Sequence, residues 1–285
     1  MKIILVSIKI LQEYIIYNIK NLKLFNNNDI TVITEKKFFY FFEDYDIELI
    51  DCKLLEDFNF NKNSNLDKQF RNGFWHLCSL RFFYLYSYIK KNNIINCIHL
   101  ENDVLTYIDF NNFFELIKNN NVYVTFDCEN RVIPGIIFIP NAEKFKPIID
   151  NYNYNINDME NLAKFDETII SPFPIFPIID LNINKLNKNF KDFNSIFDGA
   201  AIGQYLGGVD KRNQIGDTRG FINETCLIKY DKYNFFWIRK NNLFIPHIVI
   251  NNFLFPINNL HIHNKELEKF MANNPIEDKF IKKIY

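Results

Sequence analysis

The chain has 285 residues, with 33 basic and 34 acidic side chains and a formal charge of −1. That balance excludes nucleic acid as the main partner, because backbone phosphates demand a clear excess of Lys and Arg. With 48% hydrophobic and 24% charged residues, the chain is not globally disordered, and its length suits one large α/β domain with a real core. The five cysteines at 52, 78, 97, 128 and 226 form no CxxC pair. They read as reduced structural thiols, not as a zinc site or a disulfide framework. The 31 Phe, 15 Tyr and 43 Asn are residues of AT-rich codons, so genome composition accounts for them, and runs such as Asn26-Asn27-Asn28 and Asn119-Asn120-Asn121 mark loops.

The N-terminus, MKIILVSIKILQEYIIYNIK, is apolar but lacks a small-residue cleavage site and is interrupted by Gln12 and Glu13. No stretch reaches the ~20 apolar residues of a bilayer span. A cytoplasmic protein is expected, of a bacterium or of a virus-infected cell, with room left for peripheral membrane contact. The oligomeric state is not legible.

In chain order, Lys2 to Ile8 is a β-branched apolar run, as in a buried parallel strand. Leu11 to Phe25 has near-helical apolar spacing, and Ile30 to Thr34 is a second strand, so a βαβ unit opens the chain. A short strand is expected at Ile47 to Ile50, and a long helix at Asp67 to Lys91. The strand Ile94 to Leu100 delivers Glu101-Asn102-Asp103 at its C-terminal end, where open α/β sheets bind ligands. Next come a helix from Phe110 to Asn119 and strands at Val122 to Phe126 and Ile136 to Ile139. Pro134-Gly135 between those strands would let the backbone approach a ligand closely. Residues 141 to 195, with SPFPIFP at 171–177, read as helix plus long loop. Asp198 then caps a helix from Gly199 to Leu206, which ends at Gly207-Gly208. The last third alternates strands and turns, with a strand from Asn259 to His263 and a helix from Lys265. The economical division is one domain, with residues 1–107 forming its first half and 108–285 its second.

Three segments carry chemistry. Glu101 and Asp103, two residues apart off a buried strand, can aim two carboxylates at one hard divalent cation, which in turn can neutralise a leaving diphosphate. The same triplet also suits a solvated turn. His261 and His263 share one face of a strand while Leu260 and Ile262 face the core. Either imidazole can complete a mixed N/O shell for an ion such as Mn²⁺, or both can be surface groups on an edge. Lys265 just beyond can reach a phosphate as a point charge. Asp198 is either a plain helix cap or a carboxylate that accepts sugar hydroxyls or a proton.

Taken together, LQEYIIYNIKNLKLF before ITVIT, FWHLCSLRFFYLYSYIKKNNIINCIHLENDVL, FDGAAIGQYLGGVD and NLHIHNKELEKF resemble the GT-A glycosyltransferases, which use a metal and a nucleotide-sugar donor. The resemblance implies an α/β fold, Rossmann-like in its nucleotide-binding half, with a mixed central sheet, helices on both faces and a variable acceptor half. It implies Asp103 as a metal ligand, with Glu101 on the metal or the donor ribose and His261 or His263 as the late ligand. Lys265 would hold the diphosphate, Arg81 the donor phosphate or sugar, and Ser7 and Thr34 the base and ribose. Asn102 would lie within the donor site, Gln204 near the donor sugar, and Asp198 by the acceptor as the base of an inverting reaction. Mn²⁺ or Mg²⁺ and a nucleotide-sugar, UDP-sugar favoured, are the implied cofactors, and a glycan or other hydroxyl compound the implied acceptor. Two rival readings are an inactive carbohydrate-binding or virion-associated structural protein and a nucleotidyltransferase. The latter usually carries an early Gly-rich phosphate loop, and Ser7 to Tyr14 has no Gly.

Overall fold

The computed structural model describes residues 1–177, 184–274 and 281–284. The chain opens with strand β1 (Lys2–Ser7), helix α1 (Ile15–Leu24) and strand β2 (Ile30–Thr34), the βαβ unit its apolar runs predict. Strand β3 (Glu48–Asp51), the short helix α2 (Phe60–Asn63), the long helix α3 (Phe74–Lys91) and strand β4 (Cys97–Leu100) follow. Beyond them lie β5 (Val104–Thr106), β6 (Val122–Cys128), β7 (Arg131–Ile139), α4 (Ala142–Asp150), α5 (Asp158–Leu162) and β8 (Ile170–Pro172). Helices α6 (Asn184–Asn187), α7 (Phe190–Phe193) and α8 (Ala201–Gly207) precede β9 (Asn234–Lys240), β10 (Leu243–Ile250), β11 (Phe253–Pro256), β12 (Asn259–His261) and β13 (Ile281–Ile284).

One seven-stranded sheet, in the order β3-β2-β1-β4-β7-β6-β8, forms the centre. Strands β3, β2, β1 and β4 run parallel, β7 is antiparallel to β4 and to β6, and β8 is parallel to β6. This is the mixed α/β sheet that the resemblance implies. It takes strands from both sides of residue 107. From β1 the connection through α1 leads to β2 on one side, whereas β4 joins on the other, so the direction of winding switches between β1 and β4. Such a switch leaves a crevice beyond the carboxyl ends of those two strands.

Several expected boundaries move, each for a local reason. Helix α3 begins at Phe74, not Asp67, because Arg71, Asn72 and Gly73 all have left-handed backbone angles, which no helix accommodates. The stretch after Phe110 is a 3₁₀ helix ending at Leu116, and the one expected from Lys265 is a 3₁₀ turn at Leu267–Phe270. Pro134-Gly135 lies inside β7, where the register jumps: Val124 pairs with Ile137 but Thr125 with Ile133. A bulge tolerates the missing proline N–H. The segment read as a long loop contributes the edge strand β8, and its residues 178–183 lie outside the described ones. Helix α8 starts at Ala201, two residues later than expected, and β12 stops at His261.

A second sheet, β11-β10-β9-β13, is built on two hairpins. Asn241-Asn242 and Asn251-Asn252 turn them, with φ of 51° and 64°, and of 50° and 66°. Asparagine tolerates this left-handed conformation, which two-residue hairpins need at both positions. The third sheet has two strands, β5 paired antiparallel with β12, and it assembles the site.

Candidate functional site

The crevice at the switch point opens into a cavity of about 750 Å³. Its floor is the turn after β4. Glu101 N donates to Gly135 O at 2.9 Å, and Val104 N donates to Glu101 O at 3.1 Å. The turn is also gripped from α1: Asn18, fully buried, donates from Nδ2 to Glu101 O at 3.1 Å. One turn along, Asn21 donates to Thr106 O at 2.7 Å and accepts from Ala272 N at 2.9 Å. Asn102 donates to Val6 O at 3.0 Å and also to the Gln12 side chain, which ties the end of β1 to the same turn.

The β5–β12 ribbon brings in the distant residue. His261 pairs with Val104, and Ile262 N donates to Asp103 O at 2.8 Å. His261 Nε2 thereby stands 3.2 Å from Asp103 Oδ2 and 3.3 Å from Glu101 Oε2. Ligand atoms of Glu101, Asp103 and His261 all lie within 4.8 Å of one another. Lys265 Nζ contacts Asp103 Oδ2, and Arg81 contacts Glu101 Oε1. Gly135 makes room for the imidazole, since a Cβ there would lie 3.0 Å from His261 Nδ1. At Gly203 a Cβ would overlap the carbonyl of His261, so α8 meets β12 closely only because that residue is glycine.

Electrostatics follow from this crowding. Burial pushes the Asp103 carboxyl up, but Lys265 and His261 outweigh it and hold the group well below its ordinary value. Burial likewise raises Glu101, and Arg81 and then His261 bring it below the usual carboxylate range. Burial lowers the His261 imidazole, while Asp103 and Glu101 more than reverse this and raise it.

Of the residues singled out in the sequence, Ser7, Arg81, Glu101, Asn102, Asp103, Gln204, His261, His263 and Lys265 all line this cavity. Two do not. Thr34 is fully buried next to Ser7 in register, one strand away from the switch point. Asp198 is 1% exposed, and its carboxylate is used up by backbone. Oδ1 accepts from Ile202 N at 2.8 Å, while Oδ2 accepts from Gly203 N at 2.8 Å and His261 N at 3.0 Å. It caps α8 and seats β12, and the structure does not bring it to the cavity as a base. His263 lies past the end of β12, and its Nδ1 accepts from Asp210 N at 2.9 Å. Burial, then Lys265 and His261, push its imidazole down to about 4. His261, not His263, joins the two carboxylates.

The sequence reading missed Asp158, Asp127 and Arg131, all on the cavity wall. Asp158 Oδ2 accepts from Arg81 Nη2 at 2.9 Å. A signal for it exists: Asn157 accepts from Glu160 N at 3.0 Å and its side-chain amide donates to the Glu160 carboxylate at 2.9 Å, an N-cap that starts α5 at Asp158. Asp127 accepts from Arg131 Nε at 2.8 Å across the β6–β7 hairpin, an opposite-charge pair flanking a turn.

A buried donor set of two carboxylates and one imidazole suits a divalent ion that accepts mixed O and N ligands, Mn²⁺ foremost and Mg²⁺ through the carboxylates. The residues fit such an ion: one ligand atom from each of Glu101, Asp103 and His261 converges within 4.8 Å, with Nε2 the imidazole nitrogen that faces the carboxylates.

No protein-family model and no curated protein sequence matches the chain. The chain is similar to solved glycosyltransferase structures. With GlyE of Streptococcus pneumoniae TIGR4 it shares 17% identity at a TM-score of 0.37, over 57% of this chain and 41% of that one. With the PaToxG glycosyltransferase the values are 13% and 0.38, over 57% and 66%. With the galactosyltransferase LgtC, solved in complex with donor and acceptor sugar analogs, they are 10% and 0.40, over 62% and 76%. The chain thus spans less than two thirds of the length of the first two. No helix among the described residues is long and apolar enough to cross a membrane.

Proposed function

We propose that the protein is a glycosyltransferase that moves a sugar from a nucleoside-diphosphate sugar, UDP-sugar favoured, to a hydroxyl acceptor. The observation that carries this reading is the convergence of Glu101, Asp103 and His261 at the switch point of the sheet, with Lys265 in contact with Asp103. A divalent cation held by these three residues would supply charge neutralisation for the departing diphosphate.

The chain's own residues do the rest. Lys265 adds a second positive charge within reach of the same diphosphate, where charge builds as the glycosidic bond breaks. Ser7 at the end of β1 and Tyr14 just before α1 line the cavity, beside the turn that carries the acids. They offer a wall and a hydroxyl to the nucleoside. Gln204, whose Oε1 has no hydrogen-bond partner among the described residues, offers an acceptor for a sugar hydroxyl. Asp127, held by Arg131, is a further cavity carboxylate for the acceptor.

The test is a thermal-shift panel of UDP, GDP, CMP and their sugars, each with and without Mn²⁺. A ligand that binds only the native state raises the melting temperature by mass action. One nucleotide should give a shift that requires Mn²⁺ and disappears in Asp103→Ala. Folded protein that shifts with none of them would sink the donor site and favour a carbohydrate-binding role.

A further inference from the structure

The site contains a chain of alternating charges that extends past the cation ligands. Asp158 Oδ2 binds Arg81 Nη2 at 2.9 Å, and Arg81 Nη1 binds Glu101 Oε1. Glu101 Oε2 faces His261 Nε2 at 3.3 Å, His261 faces Asp103 at 3.2 Å, and Asp103 holds Lys265. Arg81 and Asp158 are 7% and 2% exposed, so water does little to screen the pair between them. The remaining oxygen of Asp158, Oδ1, has no hydrogen-bond partner among the described residues. The side chain's one strong contact is the guanidinium.

The geometry has an electrostatic consequence. An arginine touching a cation ligand is a rival for that ligand: it competes for Glu101 Oε1 and repels the incoming ion. Three carboxylates (Asp158, Glu101 and Asp103) against two cationic side chains (Arg81 and Lys265) leave the site with one net negative charge when His261 is neutral. Without Asp158 that net charge is zero, and the whole guanidinium turns on Glu101. We infer that Asp158 is a positioning residue that shares Arg81 with Glu101, offsetting the guanidinium charge at that carboxylate and keeping the site negative enough to capture a divalent cation. This rests on the cation site proposed above. Nothing in the sequence near Glu101 indicates it, because the effect arrives from α5 through α3.

Outer partners of metal ligands typically change affinity by about ten- to a hundredfold when removed. The experiment is a titration with Mn²⁺ alone, in the absence of nucleotide, followed by the electron paramagnetic resonance signal of the free ion. It is run on the wild type, Asp158→Asn, and Asp158→Asn combined with Arg81→Met, with circular dichroism of each to confirm folding. Asp158→Asn should raise the Mn²⁺ Kd about tenfold or more. The double variant, which also removes the competing cation, should bind Mn²⁺ at least as tightly as the wild type. A purely structural role for Asp158 predicts the opposite, because losing both partners of a buried pair would loosen the site further.

A wild type that binds no Mn²⁺ would overturn the cation site itself. Wild-type binding matched within twofold by folded Asp158→Asn would overturn only the role of Asp158. A double variant weaker than the single one would overturn the mechanism through Arg81. Should Asp158→Asn fail to fold, Asp158→Glu, which keeps the charge and displaces it, replaces it. A Kd raised less than threefold is then expected, and a tenfold rise would overturn the charge argument.

Discussion

His261 Nε2 lies 3.2 Å from Asp103 Oδ2 across 158 residues of sequence, and the backbone between their strands is locked by Ile262 N donating to Asp103 O at 2.8 Å. His263, two residues on, instead accepts from the amide of Asp210. His261→Ala should therefore abolish any Mn²⁺-dependent thermal shift, while His263→Ala keeps it to within a few degrees. The reverse pattern would hand the ligand role to His263.

The two glycines around His261 should fail in different ways. In Gly203→Ala the new methyl overlaps backbone of β12, which cannot yield locally. A loss of about 3 kcal/mol or more is expected, read as a fall in Tm of roughly 6–10 °C. In Gly135→Ala the methyl meets the His261 ring at 3.0 Å and a Val104 methyl at 3.2 Å, and side chains can turn aside. Stability should drop by less than about 2 kcal/mol, with Mn²⁺ affinity suffering more than Tm. Equal effects of the two substitutions would contradict this account of the packing.

Asp198 accepts three backbone N–H groups, and Asn can supply an oxygen to only part of them. Asp198→Asn should cost about 2–3 kcal/mol in urea unfolding, with the pH profile of turnover unchanged in the protein that stays folded. Wild-type stability with turnover lost by more than about a hundredfold would instead make Asp198 the base.

His99 contributes one proton to the pH dependence of stability, in the same direction as His263. It is buried in β4 with Nδ1 donating to Ile4 O at 2.9 Å, and burial, then Arg81, push its imidazole down to about 3. The unfolded chain binds this proton near pH 6.5 and the folded chain only near 3. The His99 contribution to stability is therefore full above about pH 6.5 and falls as pH drops through that window, by about 1.4 kcal/mol per unit. Chemical unfolding at pH 7, 6, 5 and 4 should show at least this slope, and His99→Asn, which keeps a donor for Ile4, should flatten it by about one proton. An unchanged slope in that variant would assign the acid sensitivity to other groups.

The opening βαβ unit was legible because β1 and β2 are continuous β-branched runs and α1 repeats at helical spacing. The acids after β4 were legible for the same reason: a buried strand must end, and the residues that follow sit over the crevice. Where the reading failed, local backbone chemistry had overruled pattern. Left-handed angles at Arg71, Asn72 and Gly73 cut the long helix short. A bulge absorbed Pro134 into a strand, and an edge position let β8 form in a proline-rich segment.

By itself, the sequence determined the opening βαβ unit, the place of the acidic turn and the residue types at hand, since periodicity and strand ends depend on near neighbours along the chain. Only the tertiary structure set His261 beside the carboxylates and His263 against a backbone amide, placed Asp198 at the seat of β12, and joined Asp158 to Glu101 through Arg81. Each of those outcomes depends on which groups meet across long stretches of chain. Hydrogen bonds and charge pairs are satisfied where the fold closes, and two histidines two residues apart become different once one faces carboxylates and the other a backbone amide.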